Sequence, residues 1–117
     1  MIVAIVGSRR YTDKKKVEQV VDAIGKKHTI LSGGCRGVDT WAVNRAKENG
    51  IATKVIEPEM YTAKNFYQIV DAYYERNKKI AETCDCMIAF VAKDRKGGTE
   101  NAIKYALKAN KQVFIYE

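Results

Sequence analysis

Proline, histidine and tryptophan each occur once in this chain, as Pro58, His28 and Trp41, and cysteine occurs only three times. Each scarcity removes a class. One proline in 117 residues, with 46% hydrophobic residues spread along the chain, excludes a disordered or low-complexity protein. Cys35, Cys84 and Cys86 cannot all pair with one another, and two of them are one residue apart, so a disulfide framework is excluded and free thiols are expected. A lone Cys-x-Cys with a single histidine is also a poor zinc site, and neither a metal nor a cofactor is expected. No hydrophobic run approaches membrane-spanning length. The opening Met1-Ile2-Val3-Ala4-Ile5-Val6 lacks the basic region and cleavage site of a signal peptide, which predicts a cytoplasmic protein with no membrane partner. No internal repeat is visible, and the length fits one domain over residues 1–117.

What is abundant is positive charge and punctuating glycine. The formal net charge is +7, yet the lysines fall mainly within helical patterns, as in Lys14-Lys15-Lys16, Lys26-Lys27 and Lys78-Lys79, a distribution typical of solvated helix faces. Such a balance attracts phosphorylated small molecules as well as nucleic acid, and charge alone does not separate the two. The stretch Ser32-Gly33-Gly34-Cys35-Arg36-Gly37-Val38-Asp39 turns a short apolar run directly into a helical pattern. Its glycines let the backbone bend tightly and bring N–H groups close to an anion, and a helix starting near Val38 points its positive end the same way. The spacing is neither Gly-x-Gly-x-x-Gly nor a P-loop, so a plain strand-to-helix turn stands beside the phosphate reading.

Taken in order, the apolar and β-branched run Ile2 to Val6 predicts a strand covered on both faces. Thr12 or Asp13 caps a helix carrying Val17, Val20, Val21 and Ile24, with Gly25 near its end. Thr29 to Leu31 is a second strand, and Trp41, Ala42, Val43 and Ala46 mark a helix that closes at Gly50. Thr53 to Ile56 is a third strand, ended by Pro58. From Ala63 to Thr83 the pattern is one long helix or two short ones, with Phe66, Ile69, Val70 and Tyr73 on one side and Arg76-Asn77 a turn before Ile80. A strand over Cys86 to Val91, the polar loop Lys93 to Thr99, a helix turning Ala102, Ile103, Ala106 and Leu107 inward, and a strand over Val113 to Tyr116 complete the chain. This alternation predicts an α/β, Rossmann-like, doubly wound sheet of about five parallel strands with helices on both faces. Ligands of such sheets sit at the carboxyl ends of the strands, where the loops Gly7 to Arg10, Ser32 to Asp39 and Lys93 to Thr99 all fall.

Four motifs in this order, Gly7-Ser8-Arg9, Ser32-Gly33-Gly34 with Gly37-Val38-Asp39, Arg76-Asn77, and Gly97-Gly98-Thr99, resemble the SLOG superfamily. That group joins the Rossmann-like domains of the DNA-processing protein DprA, the LOG phosphoribohydrolases and the small YspA-like proteins, and the YspA-like branch is the most similar in length and motif form. The resemblance spans nearly the whole chain and implies a nucleotide or nucleotide-derived ligand. It also implies a homodimer, an expectation supported by helix-face aromatics such as Phe66 and Tyr67. One departure concerns catalysis. LOG enzymes carry a longer loop, Pro-Gly-Gly-x-Gly-Thr-x-x-Glu, whose Glu works with an Arg to cleave an N-glycosidic bond. Arg76 matches the Arg, but Ala102 stands where the Glu would be. Glu100 is the nearby substitute, pointing roughly 200° away around the helix.

The favoured reading is therefore binding or sensing of a nucleotide-like phosphorylated small molecule. Gly7, Ser8, Arg9, Ser32, Gly33, Gly34, Arg36, Gly37, Asp39, Asn77, Gly97, Gly98 and Thr99 are the candidate ligand residues. For several a plainer role stands alongside: Asp39 either binds a ribose hydroxyl or, the preferred reading, stabilises its helix start, and Thr99 is also an ordinary helix cap. Cys35 is read as a small residue filling a tight turn rather than a nucleophile, and His28 as structural. Trp41, Tyr67, Tyr73 and Tyr74 either stack on a base or pack in the core. A LOG-like phosphoribohydrolase using Arg76 and Glu100 is the alternative, and DprA-like binding of single-stranded DNA a second one, resting on the charge.

Overall fold

Five short apolar runs separated by amphipathic segments become a parallel sheet crossed by four helices in a computed structural model that describes residues 1–59 and 63–117. The strands are β1 (Ile2–Gly7), β2 (Thr29–Ser32), β3 (Ala52–Val55), β4 (Cys86–Phe90) and β5 (Gln112–Tyr116), in spatial order β3-β2-β1-β4-β5. All four pairings are parallel, with Ile2 opposite Thr29, and Val3 to Gly7 running opposite Cys86 to Phe90. The chain winds outward from β1 to β3 and then returns to the other side of β1. The switch point therefore opens between the carboxyl ends of β1 and β4.

Burial explains the sequence pattern. β1 and β4 are central and covered on both faces, so alternate residues serve two cores and nearly every position is apolar. Val3, Ile5, Ile30 and Ile88 face α1 (Lys14–Ile24) and α2 (Val38–Glu48), meeting Val17, Val21, Ala42 and Ala46. Ala4, Val6, Leu31, Met87 and Ala89 face α3 (Phe66–Thr83) and α4 (Gly98–Lys108), meeting Ile80, Ala81, Ala102, Ile103 and Ala106. The edge strands β3 and β5 are mostly exposed.

Local signals set several boundaries. Asp13 caps α1 by accepting from the Lys16 N–H at 3.1 Å, and Gly25 leaves the helix at φ 80°. The segment expected as one helix or two is a single helix beginning at Phe66, capped by Asn65, whose side chain accepts from the Gln68 N–H at 3.0 Å. One expectation changes. Leu107 is 57% exposed, because the inward stripe of α4 runs along Ala102, Ile103 and Ala106 and turns Leu107 to its flank. Phe66 and Ile69 are also exposed: an 18-residue helix is about 27 Å long, whereas five-residue β4 spans about 17 Å, so the first turns of α3 overhang the sheet. That overhang stands above the carboxyl ends of the strands, where the cleft lies. No described helix is long and apolar enough to cross a membrane.

Candidate functional site

At the end of β1 the chain turns at Gly7, where a Cβ would collide with the side chain of Val38 at the start of α2. Only a glycine lets α2 approach β1 this closely. The Ser8 N–H donates to the Phe90 carbonyl at 2.9 Å, and the Ser8 hydroxyl accepts from the Arg10 N–H at 3.1 Å, so Ser8 braces its own turn against β4. Arg9 is exposed at the mouth, and Arg10 forms an ion pair with Asp94 that ties the loop after β1 to the loop after β4.

The loop after β2 is fixed from within. Ser32, Gly33 and Asp39 are buried. Asp39 Oδ2 accepts from the Cys35 N–H at 3.2 Å, and Thr40 Oγ1 donates to the Cys35 carbonyl at 2.8 Å. Burial pushes the Asp39 carboxyl up to about 6, against the opposing pull of the Cys35 amide and the positive charge of Arg76. Gly34 and Gly37 take positive φ, 73° and 85°, which shapes the turn for glycine at both points.

Arg76 and Asn77 link this loop to the one after β4. Both are 6% exposed. They lie on the inward stripe of α3, four residues before Ile80 and Ala81, so the helix delivers them into the molecule. The Arg76 guanidinium donates to the Gly33 carbonyl, to Asn77 Oδ1 at 3.0 Å and to Cys35 Sγ at 3.4 Å, and it lies 5.4 Å from the centre of the Tyr73 ring. A Cβ on Gly33 would lie 2.8 Å from the Arg76 Cζ, so that glycine makes room for the guanidinium. Asn77 Nδ2 donates to the Gly98 carbonyl at 3.2 Å and to Asn101 Oδ1 at 3.0 Å, clamping the first turn of α4. Gly97 precedes that turn at φ 91°, and no side chain caps it. The same is true of α2 behind Gly37. Both helices thus present first-turn N–H groups without a side-chain acceptor at the cap.

These loops enclose a cleft of about 460 Å³ at the switch point. It is lined by Gly7, Ser8, Arg9, Gly33, Asp39, Arg76, Asn77, Gly97, Gly98 and Thr99 among the sequence-derived candidates, with Val70, Tyr73, Tyr74 and Ile80 as its apolar wall. A second compartment of about 640 Å³ holds Gly34, Arg36 and Gly37, and shares Arg9, Gly33, Cys35, Tyr73 and Arg76 with the first. Ser32 and Glu100 line neither. Ser32 is fully buried beneath the loop, and Glu100 is paired with Arg95 at 3.0 Å. Ala102 contributes a methyl to the cleft where the resemblance would place a carboxylate.

Of the aromatics, Tyr73 and Tyr74 line the cleft, Trp41 packs against the α1–α2 core, and Tyr67 is 78% exposed outside it. His28 Nδ1 lies 3.2 Å from the N-terminal amine. The three cysteines are free thiols, Cys35 half-exposed and the other two buried. Arg10, Asp94 and Lys96 lie in loops that the sequence placed at the ligand edge but were not singled out there, and Val70 was read only as part of an apolar helix side. The Arg10–Asp94 pair joins positions 84 residues apart and left no local pattern to find.

Residues 1–62 match the model of the YspA, cpYpsA-related SLOG family. The chain belongs to that family. Its structure is similar to that of DNA processing protein A (DprA) from Streptococcus pneumoniae, with a TM-score of 0.77, 26% identity and coverage of 97% of this chain and 49% of that one. The SLOG chain thus spans about half the length of that relative. It also shares its fold with TM1055, at TM-score 0.73, 18% identity and coverage of 96% of this chain and 71% of that one. The C-terminal domain of the PF1911 hydrogenase from Pyrococcus furiosus is a more distant likeness, at TM-score 0.55, 12% identity and coverage of 99% and 89%. No curated protein matches the sequence.

Proposed function

We propose that this SLOG family member binds a nucleotide or nucleotide-derived phosphorylated small molecule in the cleft between β1 and β4. The observation that carries the reading is Arg76. It is a buried guanidinium whose hydrogen-bond partners are all uncharged, and among the described residues no carboxylate lies within ion-pair distance of it. Asp39, raised to about 6 by burial and ionised at neutral pH, contributes its field from further off without a direct contact. A buried cation so placed is stabilised by an anion, and the uncapped first turn of α4 at Gly98 and Thr99 faces the same space. A phosphate fits between them, with the attached base against Val70, Tyr73, Tyr74 and Ile80.

Binding is favoured over glycosidic cleavage because the cleft holds Ala102 where the carboxylate would stand, while Glu100 is turned to Arg95. A thermal-shift screen tests the proposal: nucleotides or phosphosugars raise the melting temperature, and a flat response across the panel removes the reading. Chromatography after incubation with AMP at high protein concentration separates the two, since free base appears only if cleavage occurs. A DNA-binding reading draws on the likeness to DprA and the charge of +7. It requires steeply salt-dependent affinity for single strands, which a filter-binding titration measures. Phe66, Tyr67 and Ile69 are among the exposed apolar residues that could serve the homodimer implied by the resemblance, and light scattering on the eluting peak reads the state.

A further inference from the structure

The two edges of the sheet are guarded differently. β3 is four residues long, carries Lys54 and is followed by Pro58, features that discourage a further strand from pairing. β5 has none of them. Gln112 to Tyr116 is uncharged and runs five residues in unbroken register with β4, and among the described residues no strand pairs with its outer edge. We infer that this edge pairs antiparallel with β5 of a second copy of the chain, about a two-fold axis at Phe114, joining the two five-stranded sheets into one. The pairing names a surface for the homodimer and is independent of what the cleft binds.

The backbone sets the register. The Tyr116 carbonyl accepts from the Val91 N–H at 2.8 Å, so it points to the β4 side. Backbone groups alternate along a strand, so Gln112 and Phe114 point the same way, and the N–H and C=O groups of Val113 and Ile115 point outward. In an antiparallel pairing centred on Phe114, Val113 of one copy stands opposite Ile115 of the other, and these are the positions able to exchange hydrogen bonds. Phe114 meets its own counterpart in the closer, non-hydrogen-bonded pair. Its side chain shares a face with Ile88 of the α1–α2 core yet is 44% exposed, and Ile115, on the α4 face, is 42% exposed. The charges fit the same register. Lys111 and Glu117 lie three residues either side of Phe114, so each Lys111 stands opposite Glu117 of the other copy. A shift of two residues either way would set Glu117 against Ala109 or Val113 instead. A strand complementary to itself in both hydrogen bonds and charge fits a second copy of this chain. Leu107 adds apolar surface. Asn101 faces α3 through Asn77, and Leu107 lies roughly 240° further around α4, on the flank away from α3. Because α4 stands over β4 and β5 and the two-fold keeps both α4 helices on one face, that flank is covered as well.

The test is sedimentation equilibrium of the full chain without ligand, in which the native chain is expected to dimerise. Phe114→Lys sets two lysines against each other on the axis and Phe114→Glu two carboxylates, and each should raise the dissociation constant at least about tenfold. An equimolar mixture of the two variants should associate at least about tenfold more tightly than either alone, which a variant that failed to fold could not do. Glu117→Lys, at an exposed position beyond the strand, should also weaken the dimer by opposing Lys111. Tyr67→Lys, on the exposed face of α3, should leave it intact. A native chain that stays monomeric would overturn both the homodimer and this inference. Mixed variants that do not associate would overturn the inference, and so would a dimer that survives Phe114→Lys but is dissociated by Tyr67→Lys, which would move the homodimer to α3. Nucleotide binding in the cleft stands or falls separately from all of these outcomes.

Discussion

The two glycine turns that start α2 and α4 look alike in sequence and differ in what surrounds them. Each places a positive-φ glycine, Gly37 or Gly97, before a helix that no side chain caps. Before α2, however, the backbone is already committed. Asp39 takes the Cys35 N–H, Thr40 takes its carbonyl, Arg76 takes the Gly33 carbonyl, and Gly33 itself is wedged against the guanidinium. Gly37 and Gly97 alike have open space where a side chain would stand, but before α4 Gly98 meets only Asn77, at 3.9 Å, and residues 93–98 are exposed. The first turn is a wall of fixed shape, whereas the second is a mouth with free donors. A glycine-rich turn is therefore packed against its neighbours in one place and left open to the cleft in the other, and only the neighbours distinguish them.

Alanine at one glycine of each turn tests that contrast. Gly33→Ala is expected to cost about 4 kcal/mol, since its Cβ displaces the Arg76 guanidinium and breaks the hydrogen bonds it makes; the urea midpoint measures the loss. Next in size is the titration of Asp39. Its carboxyl is raised from 3.8 to about 6 in the folded chain, so the stability linked to its protonated form is fully present below 3.8 and is lost as pH rises through about 6. Relative to Asp39→Asn, the native chain should lose about 2 to 3 kcal/mol across that window, read from unfolding curves at a series of pH values. A parallel pair of curves would show that the carboxylate does not titrate there.

Gly98→Ala should separate binding from stability. Its backbone is not left-handed and the nearest atom is 3.9 Å away, so the melting temperature should barely move, within ~0.5 kcal/mol. Nucleotide affinity should fall about tenfold as the methyl crowds the α4 amides, and calorimetry reads both ends of that claim. The smallest effect belongs to Glu100→Gln. The Arg95–Glu100 pair is solvent-accessible and lines neither compartment of the site, so neither stability nor affinity should change by more than ~0.5 kcal/mol.

Much of the fold was legible because it rests on short-range signals. The unbroken apolar runs at β1 and β4 mark strands covered on both faces, and Asp13 and Gly25 bracket α1 as read. The overhang of α3 was not legible, since it depends on the helix being longer than the strands it crosses, which no local pattern states. For the site, the three loops were placed at one sheet edge by topology alone. The burial of Arg76 and Asn77 had a signal in their four-residue spacing to Ile80 and Ala81, which puts them on the inward face. Tertiary partnerships such as Asn77 with Asn101, Arg10 with Asp94 and Glu57 beside Gly34 had none, because each is set by how distant elements pack.

The most direct test of an anion held between Arg76 and the start of α4 is an amide-resolved NMR titration of the nitrogen-15-labelled chain with ADP. The Gly98 and Thr99 N–H resonances should shift furthest and saturate with a common midpoint, accompanied by the Arg76 side-chain Nε–H. Shifts confined to exposed lysines on the helix faces, with Gly98 and Thr99 unmoved at saturation, would contradict the assignment.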